Sequence, residues 1–86
     1  MAPPFKVLAS RQASAQLARI YLRYRPLPIV AWSAAKITSA LEKNPQGGQP
    51  ILKSSWLTIT VHPLRATYQV IGDDVIILKY EDTRGP

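Results

Sequence analysis

The side chains able to do chemistry are few, and most of them are cations. The 86 residues hold one histidine, five acids, eleven Lys/Arg and no cysteine. His62 is the only imidazole, a group suited to general acid or base work near neutral pH. It lies close in sequence to Arg65. The bland alternative for His62 is a turn histidine before Pro63. The absence of cysteine excludes disulfide scaffolds, thiolate zinc sites, iron–sulfur clusters and thiol nucleophiles. One histidine and five scattered acids make no ligand cluster, so no metal and no small-molecule cofactor is expected. Gly47-Gly48 lacks the strand and helix context of a phosphate-cradling loop.

The charge is uneven. Residues 1–72 carry nine bases against one acid, Glu42, a net of +8. Residues 73–86 carry Asp73, Asp74, Glu81 and Asp82 against Lys79 and Arg84, a net of −2. A basic body favours polyanions or acidic partner segments, and equally serves as a soluble surface with no dedicated partner. Length allows one domain over residues 1–86, with folding burying roughly 60–65% of the unfolded surface. Hydrophobic content of 47% and charged content of 19% are ordinary globular values. Met1 to Ser10 has no apolar core of signal-peptide length. The most apolar stretch, Leu27 to Trp32, is far short of the roughly 20 residues that span a bilayer. A cytoplasmic protein without a membrane contact is expected.

The elements that position these groups follow from periodicity. Phe5 to Ala9 reads as a short strand, held back from an earlier start by Pro3 and Pro4. Ser10 is the N-cap candidate for a helix whose apolar stripe is Ala13, Leu17, Ile20, Tyr21 and Tyr24. Arg11, Arg19, Arg23 and Arg25 lie on or near its outer side, and Pro26 and Pro28 end it. A second helix from Pro28 or Ile29 carries Val30, Ala34, Ile37 and Leu41 inward and stops at Asn44-Pro45. The short Pro-Leu-Pro connector makes the two a helical hairpin. Pro45 to Pro50 reads as the main loop.

The period then becomes two. Trp56, Thr58, Thr60 and His62 share one strand face, with Leu57, Ile59 and Val61 on the other. Ala66 to Ile71 is the next strand, with Arg65, Thr67 and Gln69 opposite Ala66, Tyr68 and Val70. Gly72-Asp73-Asp74 reads as a tight turn, and Val75 to Leu78 as a strand covered on both faces. The fold class is α+β: an N-terminal strand, a helical hairpin, then a three-stranded antiparallel meander that the first strand joins.

This order, with several local strings, resembles the RelE/ParE family of toxins from bacterial type II toxin–antitoxin systems. The resemblance spans roughly Phe5 to Gly85. Ala13 to Tyr24 looks like the family's first helix. Ala40-Leu41-Glu42-Lys43-Asn44-Pro45, then Gly47-Gly48-Gln49-Pro50, looks like the end of its second helix and the following loop. Val61-His62-Pro63-Leu64-Arg65-Ala66-Thr67-Tyr68-Gln69-Val70 resembles its strand, short turn, arginine and tyrosine pattern. Gly72 to Leu78 resembles its acidic hairpin turn and apolar last strand.

The resemblance implies a toxin that either cleaves mRNA on the ribosome or inhibits DNA gyrase. Its implied partners are a cognate antitoxin and one of those targets. RNA cleavage needs a base for the 2′-hydroxyl, a cation for the phosphate and an acid for the leaving oxygen. Arg65 matches the family's arginine before the tyrosine, and its planar fork pairs with phosphate oxygens. Arg84 falls where such members place a basic residue after the last strand, His62 where some use a histidine. The catalytic candidates are therefore Arg65, His62 and Arg84. For Arg65 the alternative is a surface residue, and for Arg84 a solvated tail. Lys53, Lys79 and Tyr80 are the nucleic-acid-binding candidates, with Tyr80 also readable as core.

Two departures weaken the nuclease reading. The strand Trp56-Leu57-Thr58-Ile59-Thr60 holds no base where RelE-like members carry paired lysines, and Lys53 before it is a poor substitute. A C-terminal extension with a tyrosine is also expected to be missing. The alternative function is a non-catalytic basic module that binds nucleic acid or protein.

Overall fold

The structure, a computed structural model, describes residues 4–24 and 28–84. Five strands and two helices follow in the order β1 (Lys6–Ala9), α1 (Arg11–Arg23), α2 (Ile29–Lys43), β2 (Gln49–Pro50), β3 (Leu57–Val61), β4 (Leu64–Ile71) and β5 (Asp74–Asp82). The expected α+β class and its β-α-α-β-β-β order are present, with one short strand more than the sequence reading. The Pro26 helix stop, the connector from it and Pro3 lie outside the described residues.

The strands form one sheet in the order β1-β5-β4-β3-β2. β1 runs parallel to β5, while the other neighbours are antiparallel. α1 packs on β5, and α2 packs on β3, β4 and β1. Both helices enter one core with Leu64, Ala66, Tyr68, Val75, Ile77 and Tyr80 of the strands. Ala13 and Ile20 of α1 are buried there, with Leu17 and Tyr24 half-buried; Tyr21 is exposed, outside the stripe predicted for it. From α2 come Val30, Ile37 and Leu41. Ser33, fully buried beside them, donates its hydroxyl to the His62 carbonyl at 2.9 Å, which meets the need of a buried polar group for a partner.

β5 differs from its reading as a plain apolar run from Val75 to Leu78. It extends to Asp82, and its pairing with β4 slips by one residue. Thr67 pairs with Lys79 but Tyr68 pairs with Ile77, so Leu78 is a bulge residue without a ladder partner. The slip changes which side chains face the helices. Val75 and Ile77 are buried, and the next buried residue is Tyr80, not residue 79. Two side chains satisfy backbone groups around the bulge. Ser10 Oγ donates to the Leu78 carbonyl at 3.1 Å while accepting from the Ala13 amide at 3.0 Å as the α1 N-cap. The Tyr80 amide donates to Gln16 Oε1 at 2.9 Å.

The segment read as a loop from Pro45 to Pro50 holds a short 3₁₀ turn, Pro45–Gly47, and the edge strand β2. Tyr68 anchors it. Its buried hydroxyl donates to the Pro45 carbonyl at 2.6 Å, and burial pushes the phenol above its usual pKa, keeping that proton in place. Gly48 passes so close that a Cβ there would collide with the Tyr68 hydroxyl and lie 2.8 Å from the Thr58 carbonyl. Tyr68→Phe leaves the buried Pro45 carbonyl unpaired, at a cost of about 1–3 kcal/mol. Gly48→Ala forces overpacking of about 1–3 kcal/mol. Urea denaturation is expected to show both losses, and unchanged midpoints would contradict this anchor.

Candidate functional site

The alternation of β3, β4 and β5 turns one sheet face to the helices and leaves the other, among the described residues, without a covering element. Two cross-strand rows occupy the middle of that open face. Thr60, Arg65 and Glu81 form one; Thr58, Thr67 and Lys79 form the other, in which Thr67 is itself buried beneath its neighbours, 1% exposed. Directly opposed residues have Cβ atoms about 4.5–5.5 Å apart, so Arg65 and Glu81 are immediate neighbours. Arg65 is exposed. Lys79 Nζ lies 3.7 Å from Glu81 Oε1, with both side chains 44% exposed. Glu81 was not among the residues singled out by sequence. Only the bulge at Leu78 brings it to the face that Arg65 occupies.

The other candidates lie elsewhere. Tyr80 faces α1, 5% exposed, and burial followed by the nearby Tyr21 raises its phenol pKa. It is a core residue on the side away from Lys79. Lys53 stands in the exposed turn between β2 and β3 with a left-handed φ of 61°. Trp56 is partly exposed just before β3.

His62 occupies the β3–β4 turn, followed by a cis peptide to Pro63. Its Nδ1 is hydrogen-bonded to Thr83 Oγ1 at 3.0 Å, and the Thr83 amide donates to the Pro63 carbonyl at 2.8 Å. The Arg84 guanidinium sits over the Tyr24 ring, 5.4 Å from its centroid. The tail that could have been free in solvent is thus tied at Thr83 and Arg84. His62 and Arg84 direct these contacts toward the β3–β4 turn and the end of α1, whereas Arg65 lies on the open face.

Asp82 organises the end of α1. Its side chain is 6% exposed. Oδ1 accepts from the Tyr24 hydroxyl and from the Arg84 amide, each at 2.9 Å. Oδ2 lies 3.3 Å from Arg23 Nη1. Burial works against the carboxylate charge. The Arg84 amide, the Tyr24 hydroxyl and the Arg23 guanidinium together outweigh it and hold the carboxyl below its ordinary range. The same contacts act on Tyr24, whose phenol is raised first by burial and then by donating to Asp82.

A cleft of about 350 Å³ opens between α1 and β5 next to this cluster. Gln16, Arg19, Ile20 and Arg23 form its helix side; Tyr80, Glu81 and Asp82 form its strand side. A second cleft of about 360 Å³ lies where Gly48 and Gln49 meet Thr58 and Thr60. Among the described residues, no group of three metal-ligating side chains converges, and no helix is long and apolar enough to cross a membrane.

No family model and no curated protein matches the chain. Solved structures do. The chromosomal ParDE toxin–antitoxin system of P. aeruginosa is similar over 94% of this chain and 98% of its own, at 22% identity and a TM-score of 0.74. The toxin–antitoxin complex RelBE2 of Mycobacterium tuberculosis is similar over 92% of this chain and 98% of its own, at 19% identity and 0.75. A conserved hypothetical protein of Helicobacter pylori is similar over 94% and 97%, at 13% identity and 0.59. The chain has a RelE/ParE-like fold.

The Asp82 cluster makes a pH-dependent contribution to stability. A carboxyl depressed in the folded state stabilises fully above its unfolded value, about 3.9, and loses that contribution as pH falls through the folded value. Asp82→Asn is therefore expected to lower Tm at pH 7. The two proteins should converge as the medium becomes more acidic than the ordinary carboxylate range. A gap of constant size down to pH 2 would contradict this role.

Proposed function

We propose that this chain is the toxin of a type II toxin–antitoxin pair, neutralised by a cognate antitoxin and arresting growth when released from it. The observation that carries this reading is the fold, matched over more than nine-tenths of the chain by two toxin–antitoxin structures. The uncovered basic sheet face is the natural meeting place for a target, with Arg65 at its centre and Lys79 beside it.

The arrangement around Arg65 favours inhibition by binding, as in gyrase-directed toxins, over ribosome-dependent cleavage of mRNA. Two threonines, Thr58 and Thr60, stand where proton-transfer groups would be useful, and Thr67 across from Thr58 is buried. Glu81 lies directly across from Arg65 in the β4–β5 register with its carboxylate 3.7 Å from Lys79 Nζ, so it adds negative charge where a phosphate would approach. His62 and Arg84 are engaged by Thr83 and Tyr24. A hydroxyl is a weak acid or base beside an imidazole or an ammonium, so this set is poor in groups that move protons.

Induced expression is expected to stop growth, with co-expression of a neighbouring acidic antitoxin gene restoring it. Arg65→Glu should relieve the arrest without loss of folded protein. Gyrase–DNA cleavage complexes should accumulate while transcripts stay intact. Ribosomal A-site cuts seen by primer extension, and lost in Arg65→Ala, would replace the binding mechanism with the nuclease one. Normal growth on expression would overturn the toxin reading and leave a basic binding module.

A further inference from the structure

We infer that Glu81 is the selectivity residue of the open sheet face: it turns nucleic acid away from Arg65 and Lys79 and reserves them for a protein partner. This role rests on the reading of that face as the target contact, yet oligonucleotide binding reports it without any growth phenotype.

The chain is strongly basic, at +6, but little of that charge reaches the uncovered sheet face. Its two middle rows hold two cations, Arg65 and Lys79, and one acid, Glu81. The acid is placed to act on both cations. It stands opposite Arg65 in the β4–β5 register, and its Oε1 lies 3.7 Å from Lys79 Nζ. At the other end of the face Lys6 and Asp74 are register partners, so their charges offset each other. An ion pair with both side chains 44% exposed adds little to stability, so the main effect of Glu81 falls on what approaches the face.

A single nucleic-acid strand is held by cations on its phosphates and by aromatic side chains on which its bases stack. β3, β4 and β5 send no aromatic ring to this face, because Tyr68 and Tyr80 are both buried in the core on the helix side. The rows beside the charged ones are largely aliphatic. Leu8 partners Ile76, Ile76 partners Gln69, and Ile71 lies two residues further along β4. Leu8 is 39% and Ile71 58% exposed. Aliphatic side chains give a base no ring to stack on, but they suit the apolar centre of a protein interface with charged groups at its rim. A protein can bring a carboxylate to Arg65 and a neutral or basic group to Glu81. A strand with a charge at every phosphate cannot sort its groups in that way.

The test uses the full chain and a fluorescein-labelled 12-nucleotide oligo-uridine, followed by fluorescence anisotropy at several salt concentrations. The wild type is expected to bind weakly. Glu81→Gln should bind at least fivefold more tightly at low salt. Its slope of log K against log salt should steepen by about 0.7, as for one added phosphate contact on a single strand. Glu42→Gln makes the same change in net charge on α2 and should gain less than twofold. Adding Arg65→Gln to Glu81→Gln should return the affinity to within twofold of the wild type, which a merely loosened chain would not do. Equal gains in Glu81→Gln and Glu42→Gln, a gain that survives the loss of Arg65, or a gain below twofold in Glu81→Gln would each overturn the selectivity role. If that role fails while induced expression still arrests growth, the toxin reading stands. If the gain appears while expression leaves growth normal, Glu81 keeps its role and the toxin reading falls.

Discussion

One extra residue in β5 sets which side chains each face of the sheet presents. β5 is bracketed by β1 and β4 and carries α1 on its face, so its phase is constrained from three sides. A regular strand would send residues 75, 77, 79 and 81 to the same face. Lys79 and Glu81 would then enter the core, where an ionised group costs several kcal/mol even with a partner. The bulge at Leu78 prevents this. It sends Tyr80 and Asp82 under α1 and turns Lys79 and Glu81 outward beside Arg65. The backbone groups disturbed by the slip do not go unpaired, because the N-cap serine and Gln16 of α1 reach them. Cap, helix and bulge form one mutually dependent unit.

From that unit the molecule acquires two separate polar regions. The open face holds Arg65, Lys79, Glu81, Thr58 and Thr60. The end of α1 holds Asp82, Tyr24, Arg23 and Arg84, joined through Thr83 to His62. Their separation bears on mechanism. A nuclease of this fold needs a phosphate-binding cation and proton-transfer groups around one reacting bond. Here the sole imidazole is bonded to Thr83 and the tail arginine sits over Tyr24, whereas the sheet arginine lies in the other region, across from Glu81 in the strand register. That separation is the basis for proposing that this surface holds a macromolecular partner.

Much of the fold was readable because it rests on local rules. Ser10 caps α1 as its hydroxyl chemistry requires, and the 3.6-residue spacing of Ala13, Leu17, Ile20 and Tyr24 turns them to the core. Leu57, Ile59 and Val61 pack inward as period two demands. What escaped reading is non-local. β2 is two residues long, one of them proline, and exists because Tyr68 reaches Pro45 from 23 residues away. The bulge leaves no mark in an unbroken run of apolar residues. Asp82 reads as one acid in an acidic tail until its contacts with Tyr24, Arg23 and Arg84 are seen. Of the candidate residues, Arg65 and Lys79 could be placed on a shared face by alternation, but the neighbour that alters their chemistry, Glu81, needed the register.

The central claim, that the slip at Leu78 selects which charges line the open face, is tested most directly by nuclear Overhauser contacts across β4 and β5 in solution. The account predicts backbone contacts between Tyr68 and Ile77 and between Thr67 and Lys79, with the Tyr80 ring close to Ile20. Continuous pairing of Tyr68 with Leu78, and a Tyr80 ring beside Thr60 and Arg65, would contradict it.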